Sequence, residues 1–178
     1  SSDLDSILVQ APTGESLLID GGENGKGNTV TQYIAQYGDD TLEYVIATHP
    51  HSDHINGIDD LRAYCFRKKQ AIDIYGNSFT MENAQSRFEY AFMPPCKHWN
   101  RPVLVPHILN GHAQTADIHG VSVRYFDLPH GRWRVLSYQI GNIAWLTDVS
   151  NIDDSTINAL QGIEYLFIEE RAVAALGD

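Results

Sequence analysis

The chain has 178 residues, 43% of them hydrophobic and 20% charged, with a formal net charge of −11. That balance is globular, and the length suits one domain spanning 1–178, enough to bury roughly 70% of the surface its unfolded chain exposes. Lys and Arg total 12 against 23 Asp and Glu, and their densest cluster is Arg67-Lys68-Lys69, which argues against long nucleic acid as a partner.

A small phosphorylated substrate stays open, because a bound cation adds positive charge that the formal count omits. No run approaches the 18 or so apolar residues needed to span a bilayer, and no basic segment followed by an apolar one marks a signal peptide. The expectation is a cytoplasmic protein without a membrane partner; a homodimer is compatible with it. The two cysteines, Cys65 and Cys96, form no CxxC pair, so neither a zinc ribbon nor a redox motif is present. They read as buried thiols in a reducing compartment rather than as a disulfide.

In chain order, "SILVQA" (6–11) and "SLLID" (16–20) are β-prone runs split by Pro-Thr-Gly and predict a hairpin. "GGENGKGN" (21–28) is a glycine-rich loop. Val30, Tyr33, Ile34 and Tyr37 have helical spacing over 29–38, with Gly38 as C-cap. "LEYVIAT" (42–48) reads as a buried strand, and "GIDDLRAYCF" (57–66) as a helix with Ile58, Leu61, Tyr64 and Cys65 on one face. A short strand over 71–76 precedes a helix over 80–92 that Pro94-Pro95 stops. Two prolines break "PVLVPHIL" (102–109), which predicts an edge strand or extended loop. Strands follow over 121–128, 134–141 and 143–149, then a capped helix over 153–162 and a last strand over 163–170. Mixed strands and helices favour sheets covered by helices over a purely parallel doubly wound fold.

The segment "IATHPHSDHING", Ile46 to Gly57, puts three of the eight histidines within six residues. His49 and His51, two apart in extended chain, point to the same side and can converge on one cation. Asp53 and His54 are directed differently and can serve a second. Imidazole nitrogen and carboxylate oxygen suit Zn²⁺, and also Mn²⁺ or Fe²⁺. The cluster lies where a buried strand ends and a helix begins, a place where a rigid scaffold holds a functional loop. Four polar residues on an exposed loop is the bland alternative, and the H-x-H-x-D-H spacing directly after "YVIAT" argues against it.

This spacing resembles the signature of the metallo-β-lactamase-fold hydrolases. The resemblance extends to "LLIDGG" with Asp20, to "LPHGRW" with His130 and to "AWLTDVS" with Asp148, covering Ile7 to about Glu170. From "NGIDDLRAY" onward the chain looks most like the branch of the phosphoribosyl cyclic phosphodiesterases and the pyrroloquinoline-quinone-biosynthesis proteins. Its first 50 residues look more like the hydrolase domain of DNA-uptake proteins. The resemblance implies an α/β fold, an αββα sandwich with mixed sheets. It implies that His49, His51 and His130 hold a first metal, that Asp53, His54 and Asp148 hold or share a second, and that Asp148 bridges them. Asp53 would orient a hydroxide between the metals, and Asp20 would accept a hydrogen bond from a ligand imidazole. The competing readings are a surface turn for His130, a turn or helix N-cap for Asp148 and support of Gly21-Gly22 for Asp20.

His107, after a proline, is a candidate catalytic residue facing the substrate, with a packed structural role as its competitor; His112 is similar. Trp99, Arg101 and Trp133 are candidates to line the pocket, or else core and rim. His98 and His119 receive no role. The family's further histidine after the final strand has no counterpart in "LFIEERAVAALGD". Glu169 or Glu170 could stand in, although Arg171 beside them could neutralise either, so the second Zn²⁺ site is expected to be the weaker. The function implied is metal-dependent hydrolysis of a small phosphodiester, linear or cyclic. The alternatives are lactone or thioester hydrolysis, and a metal-binding scaffold without turnover.

Overall fold

A computed structural model describes residues 6–10, 14–22, 25, 27–37, 42–61, 64–66, 70–94, 104–160 and 162–168. Close contacts divide the chain into two compact units, Ser1–Ile108 and Leu109–Asp178. Gly38, Arg67-Lys68-Lys69, Cys96, His98, Trp99, Arg101, Glu169, Glu170 and Arg171 lie outside the described residues.

In the first unit, β1 (Ile7–Gln10) and β2 (Ser16–Ile19) form the predicted hairpin, with Ile7 opposite Ile19 and Gln10 opposite Ser16. β2 then runs parallel to β3 (Tyr44–Ile46), β3 to β4 (Ile72–Gly76) and β4 to β5 (Leu104–Ile108), giving the order β1-β2-β3-β4-β5. β5 is an edge strand, so Pro106, which has no N–H to offer a neighbour, is tolerated within it.

Side-chain alternation divides this sheet's two faces. Leu18, Val45, Ala47, Ile72, Ile74 and Leu104 join one core cluster with Val30, Ile34, Met81 and Ala84 from the helices. Helix α1 (Gly27–Tyr37) starts two residues before the predicted point, within the glycine-rich segment. It buries Val30 and Ile34, one turn apart. Tyr33 and Tyr37, expected on the apolar face, are instead 51% and 53% exposed and pack on each other with ring centroids 4.7 Å apart. The apolar stripe is therefore narrower than the sequence pattern suggests.

The predicted helix over 57–66 is not continuous. Helix α2 (Ser52–Ile55) starts inside the histidine cluster and passes into a 3₁₀ turn, Asn56–Asp59, and residues 64–66 are again helical. Ile58, Leu61 and Tyr64 are buried all the same, and Cys65 is a buried free thiol. The predicted helix over 80–92 is α3 (Ser78–Arg87) and α4 (Glu89–Phe92), broken at Phe88, whose ψ of 40° leaves the helical region. Asn77 caps α3 by accepting from the Thr80 amide at 2.8 Å. Met93, with ψ 142°, is extended, as the residue before a proline tends to be.

The second unit carries a sheet of order β10-β9-β8-β7-β6. β6 (Gln114–Ile118) was not foreseen. It pairs antiparallel with β7 (Val121–His130) across His119-Gly120, both with positive φ, a two-residue turn that suits a tight hairpin. β8 (Trp133–Ile140) and β9 (Ile143–Leu146) continue the antiparallel run. β9 ends three residues before the predicted boundary, because Asp148 at φ 55° cannot continue a ladder. Helix α5 (Asp154–Ala159) leads to β10 (Tyr165–Ile168), which pairs parallel with β9. Phe126, Leu128, Val135, Ala144, Leu146 and Val149 form this unit's core cluster. Among the described residues no helix is long and apolar enough to cross a membrane.

Gly21 and Gly57 meet at a point where only hydrogen fits. The Gly21 amide donates to the His54 carbonyl at 2.7 Å and the Gly57 amide to the Gly22 carbonyl at 2.8 Å. A Cβ on Gly57 would overlap the Gly21 carbonyl, which is backbone and cannot swing aside. Gly57→Ala should cost about 1–3 kcal/mol and lower the melting temperature by several degrees. A thermal melt unchanged from the parent protein would show that this approach is not tight.

Asp153 caps α5. Its Oδ1 accepts from the Thr156 hydroxyl at 2.6 Å, the Thr156 amide at 2.8 Å and the Ser155 hydroxyl at 2.9 Å. These hydrogen bonds, the Thr156 hydroxyl first, lower its pKa from 3.8 to about 2. A depressed carboxylate contributes stability in full above its unfolded pKa and loses it as pH falls through the folded one. The Thr156 amide resonance should therefore titrate with a midpoint near pH 2; a midpoint near 4 would refute the cap.

Candidate metal centre

The carboxyl ends of β2 and β3 carry the first group of donors. Asp20 follows β2 directly, and its amide donates to the Ile46 carbonyl at 2.8 Å. It is 2% exposed and has φ 59°, a left-handed conformation that Asp tolerates better than most residues. Its Oδ1 accepts from the Thr48 amide at 2.7 Å. Its Oδ2 accepts from the Thr48 hydroxyl at 2.7 Å and lies 2.9 Å from His54 Nδ1.

Thr48 spends its hydroxyl proton on Asp20, so its oxygen is left to accept from His49 Nδ1 at 2.9 Å. The chain of donors assigns both ring tautomers: His49 and His54 each carry a proton on Nδ1, and each Nε2 keeps the lone pair that a cation needs. Both rings are buried, with centroids 4.1 Å apart. A carboxylate that accepts the outer ring proton is the usual way a metal-ligating imidazole is oriented. The structure thus gives Asp20 a part beyond supporting Gly21-Gly22.

His51 is the N-cap residue of α2, in extended backbone at φ −66° and ψ 153°. The chain turns helical at Ser52, and the His51 carbonyl accepts from the His54 and Ile55 amides at 3.2 and 3.1 Å. His51 Nδ1 comes to 2.8 Å from His49 Nε2. Two nitrogens on a tetrahedral Zn²⁺ at 2.0–2.1 Å would stand about 3.3 Å apart. The pair therefore needs to open by only about half an ångström to hold such an ion, and the donor set fits a divalent metal. Asp53, half-buried, sits in the first turn of α2.

The second unit supplies its own pair. His130 is the last residue of β7 and Asp148 lies two residues beyond β9. His130 Nε2 stands 3.8 Å from Asp148 Oδ2, with side-chain exposures of 12% and 0%. Ser150 fastens the two segments. Its amide and hydroxyl donate to the Pro129 carbonyl at 3.0 and 3.1 Å, and the Gly131 amide donates to its hydroxyl at 3.2 Å. His130 is thus a strand residue rather than a turn residue, and Asp148 is no helix cap: that role belongs to Asp153. Thr48 and Ser150 were missed by sequence reasoning. The signal for Thr48 was its place immediately before the first histidine.

His107 lies in β5, with Nε2 2.8 Å from Asp73 Oδ1 and its ring stacked on Tyr75. His112 is a structural residue, its ring nitrogens 3.2 Å from the Asp127 carbonyl and 3.3 Å from the Thr156 hydroxyl. Trp133 begins β8 with the Arg132 guanidinium over its ring.

A family model described as "Beta-lactamase superfamily domain" matches residues 16–175. The chain belongs to this superfamily. Solved structures similar to it include a diphosphatase from the PhnP family, with a TM-score of 0.72 and 25% identity over 93% of this chain and 62% of that one. The metallo-β-lactamase fold protein YhfI from Bacillus subtilis gives 0.66 and 19% over 89% and 60%. A metallo-β-lactamase from Hirschia baltica gives 0.62 and 15% over 93% and 78%. These likenesses give the chain the metallo-β-lactamase fold, α/β with mixed sheets, and the PhnP-family likeness fits the branch expected from "NGIDDLRAY". An octanoyltransferase of Porphyromonas gingivalis (strain ATCC BAA-308 / W83) is 30% identical over an alignment of 170 residues that covers 92% of this chain and 31% of that protein.

Within this superfamily chain the relay through Asp20 yields a direct test. Asp20→Asn keeps the shape but turns one acceptor into a donor, opposing an N–H or O–H that now has an acceptor. The expected cost is about 1–3 kcal/mol in urea unfolding, and a 10–100-fold loss of Zn²⁺ affinity as the His49 and His54 tautomers are freed. Unfolding and chelator-competition curves that overlay those of the parent would remove Asp20 from the site.

Proposed function

We propose that the chain is a metal-dependent hydrolase of small phosphodiesters. The observation that carries this reading is the relay from His49 through Thr48 and Asp20 to His54, which presents two Nε2 lone pairs beside His51 Nδ1. Membership of the superfamily and likeness to a PhnP-family diphosphatase support the reaction class.

The family resemblance would assign His49, His51 and His130 to a first cation and Asp53 and His54 to a second, with Asp148 shared. Zn²⁺ suits the nitrogen-rich set, and Mn²⁺ the carboxylates. When bound, a pair of such cations polarises the phosphoryl oxygens and lowers the pKa of the attacking water. The residues of the chain do the rest. Asp20 and Thr48 hold two imidazoles in the ligating tautomer, and burial of His49, His54 and Asp148 keeps bulk water from competing. Asp53 orients the water and accepts its proton at a carboxylate oxygen. The water oxygen bonds to phosphorus, one P–O ester bond breaks, and the departing oxygen needs a proton in return.

Purified protein, stripped of metal and reloaded with Zn²⁺ or Mn²⁺, should cleave bis(p-nitrophenyl) phosphate. Asp148→Ala should lower metal content and reduce turnover by about 10²-fold or more. Cleavage of an acyl thioester or lactone in place of the phosphodiester would transfer the function to those substrates. Tight metal binding with no turnover of any of them would reduce the chain to a scaffold.

A further inference from the structure

We propose that His107, positioned by Asp73, donates the proton that the departing ester oxygen needs. The inference rests on the phosphodiesterase reading and adds a residue to it.

The argument begins with register. Ile19 lies opposite Ile46, Ile46 opposite Tyr75, and Tyr75 opposite His107, so these four form one row across the first sheet. The row sits at the carboxyl ends of four parallel strands, the edge where sheets of this kind place their ligands. Asp20 and the His49–His54 loop leave from the same edge. Alternation sets the face. Leu18, Val45, Ile74 and Leu104 point into the helix-side cluster, so the row points to the opposite face. His107 is two strands from β3, about 10 Å away at ordinary strand spacing. An ester arm of a phosphodiester centred on the histidine loop can cross that gap over Tyr75.

The ring itself is built for a directed role. Nε2 is 2.8 Å from Asp73 Oδ1, and the ring stacks on Tyr75 with centroids 4.6 Å apart and planes at 15°. Both contacts fix its orientation. The side chain is nevertheless 40% exposed. Among the described residues nothing hydrogen-bonds to Nδ1, so this nitrogen is the one open to a bound molecule. A carboxylate on one imidazole nitrogen and a reacting atom at the other is the arrangement that orients histidine for proton transfer. In the step, the P–O bond electrons pass to the ester oxygen, the proton on Nδ1 moves to that oxygen, and the alcohol leaves. Neutral His107 regains a proton from water before the next turnover.

The test separates leaving groups. p-Nitrophenolate departs readily without a proton, whereas the ribose alkoxide of a nucleoside 2′,3′-cyclic phosphate needs one. Metal-loaded His107→Ala should lose about 10²–10⁴-fold in kcat on the cyclic phosphate and far less on bis(p-nitrophenyl) phosphate. Metal content should equal that of the parent, and added imidazole should restore part of the lost rate. Asp73→Asn, acting through His107, should show the same selective loss to a smaller degree. His107→Gln, which keeps a donor for Asp73 but passes no proton, serves if the alanine variant fails to fold. Equal losses on both substrates, or none, would overturn the proton donor and leave the hydrolase intact. A parent protein that cleaves only the aryl ester would overturn it too. A metal-loaded parent that cleaves neither would overturn the phosphodiesterase reading and this inference with it.

Discussion

The carboxylate of Asp20 is the constraint on which the first unit's donor loop depends. It is buried, it faces the amide and hydroxyl of Thr48 and the ring of His54, and so it joins the ends of β2 and β3 to α2. A buried carboxylate is costly unless its lone pairs are met, and here three groups meet them. The same contacts decide where two imidazole protons reside. Stability and metal chemistry therefore share one side chain: the groups that make Asp20 tolerable in the interior are those that aim His49 and His54.

That arrangement requires two loops to come closer than side chains allow. Gly21-Gly22 and His54–Gly57 are zipped by backbone hydrogen bonds, with hydrogens in place of side chains where the strands of the loop touch. The backbone at Asp20 and at Asp148 takes a left-handed turn, φ 59° and 55°. In both cases the turn ends the extended run and re-aims a carboxylate. Unfavourable backbone geometry at two buried aspartates is the kind of local cost that tertiary contacts sustain at functional sites. The contacts are identifiable: Thr48 and His54 around Asp20, and in the second unit the Ser150 clasp on Pro129 and Gly131, which sets the Asp148 segment beside His130.

The elements with strong periodic signals were legible from the sequence: the 6–20 hairpin, the buried β3, the proline-interrupted edge strand, and the three strands β7, β8 and β9. The candidate ligands were legible too, because H-x-H-x-D-H after an apolar run is chemically unusual. What escaped notice was set by distant partners. β6 has a weak apolar pattern, and Gln114 and Thr115 are exposed; it is a strand because β7 lies alongside it. Tyr33 and Tyr37 fit the helical spacing and yet face solvent. The run 57–66 carries helical periodicity, but the chain tightens to 3₁₀ at Asn56–Asp59, where Gly57 must reach Gly22.

By itself, the sequence determined the α/β class, the location of the histidine loop after β3 and which side chains are candidate donors, since these follow from local apolar pattern and residue chemistry. The tertiary structure decided what those donors are bonded to. Thr48 stands immediately before the first histidine in the sequence, but only the fold seats its hydroxyl between His49 and Asp20. Asp73 and His107 are 34 residues apart and become neighbours only because β4 and β5 pair in parallel with Tyr75 opposite His107. A hydrogen bond depends on a few tenths of an ångström and on direction, and only the packed sheet fixes both.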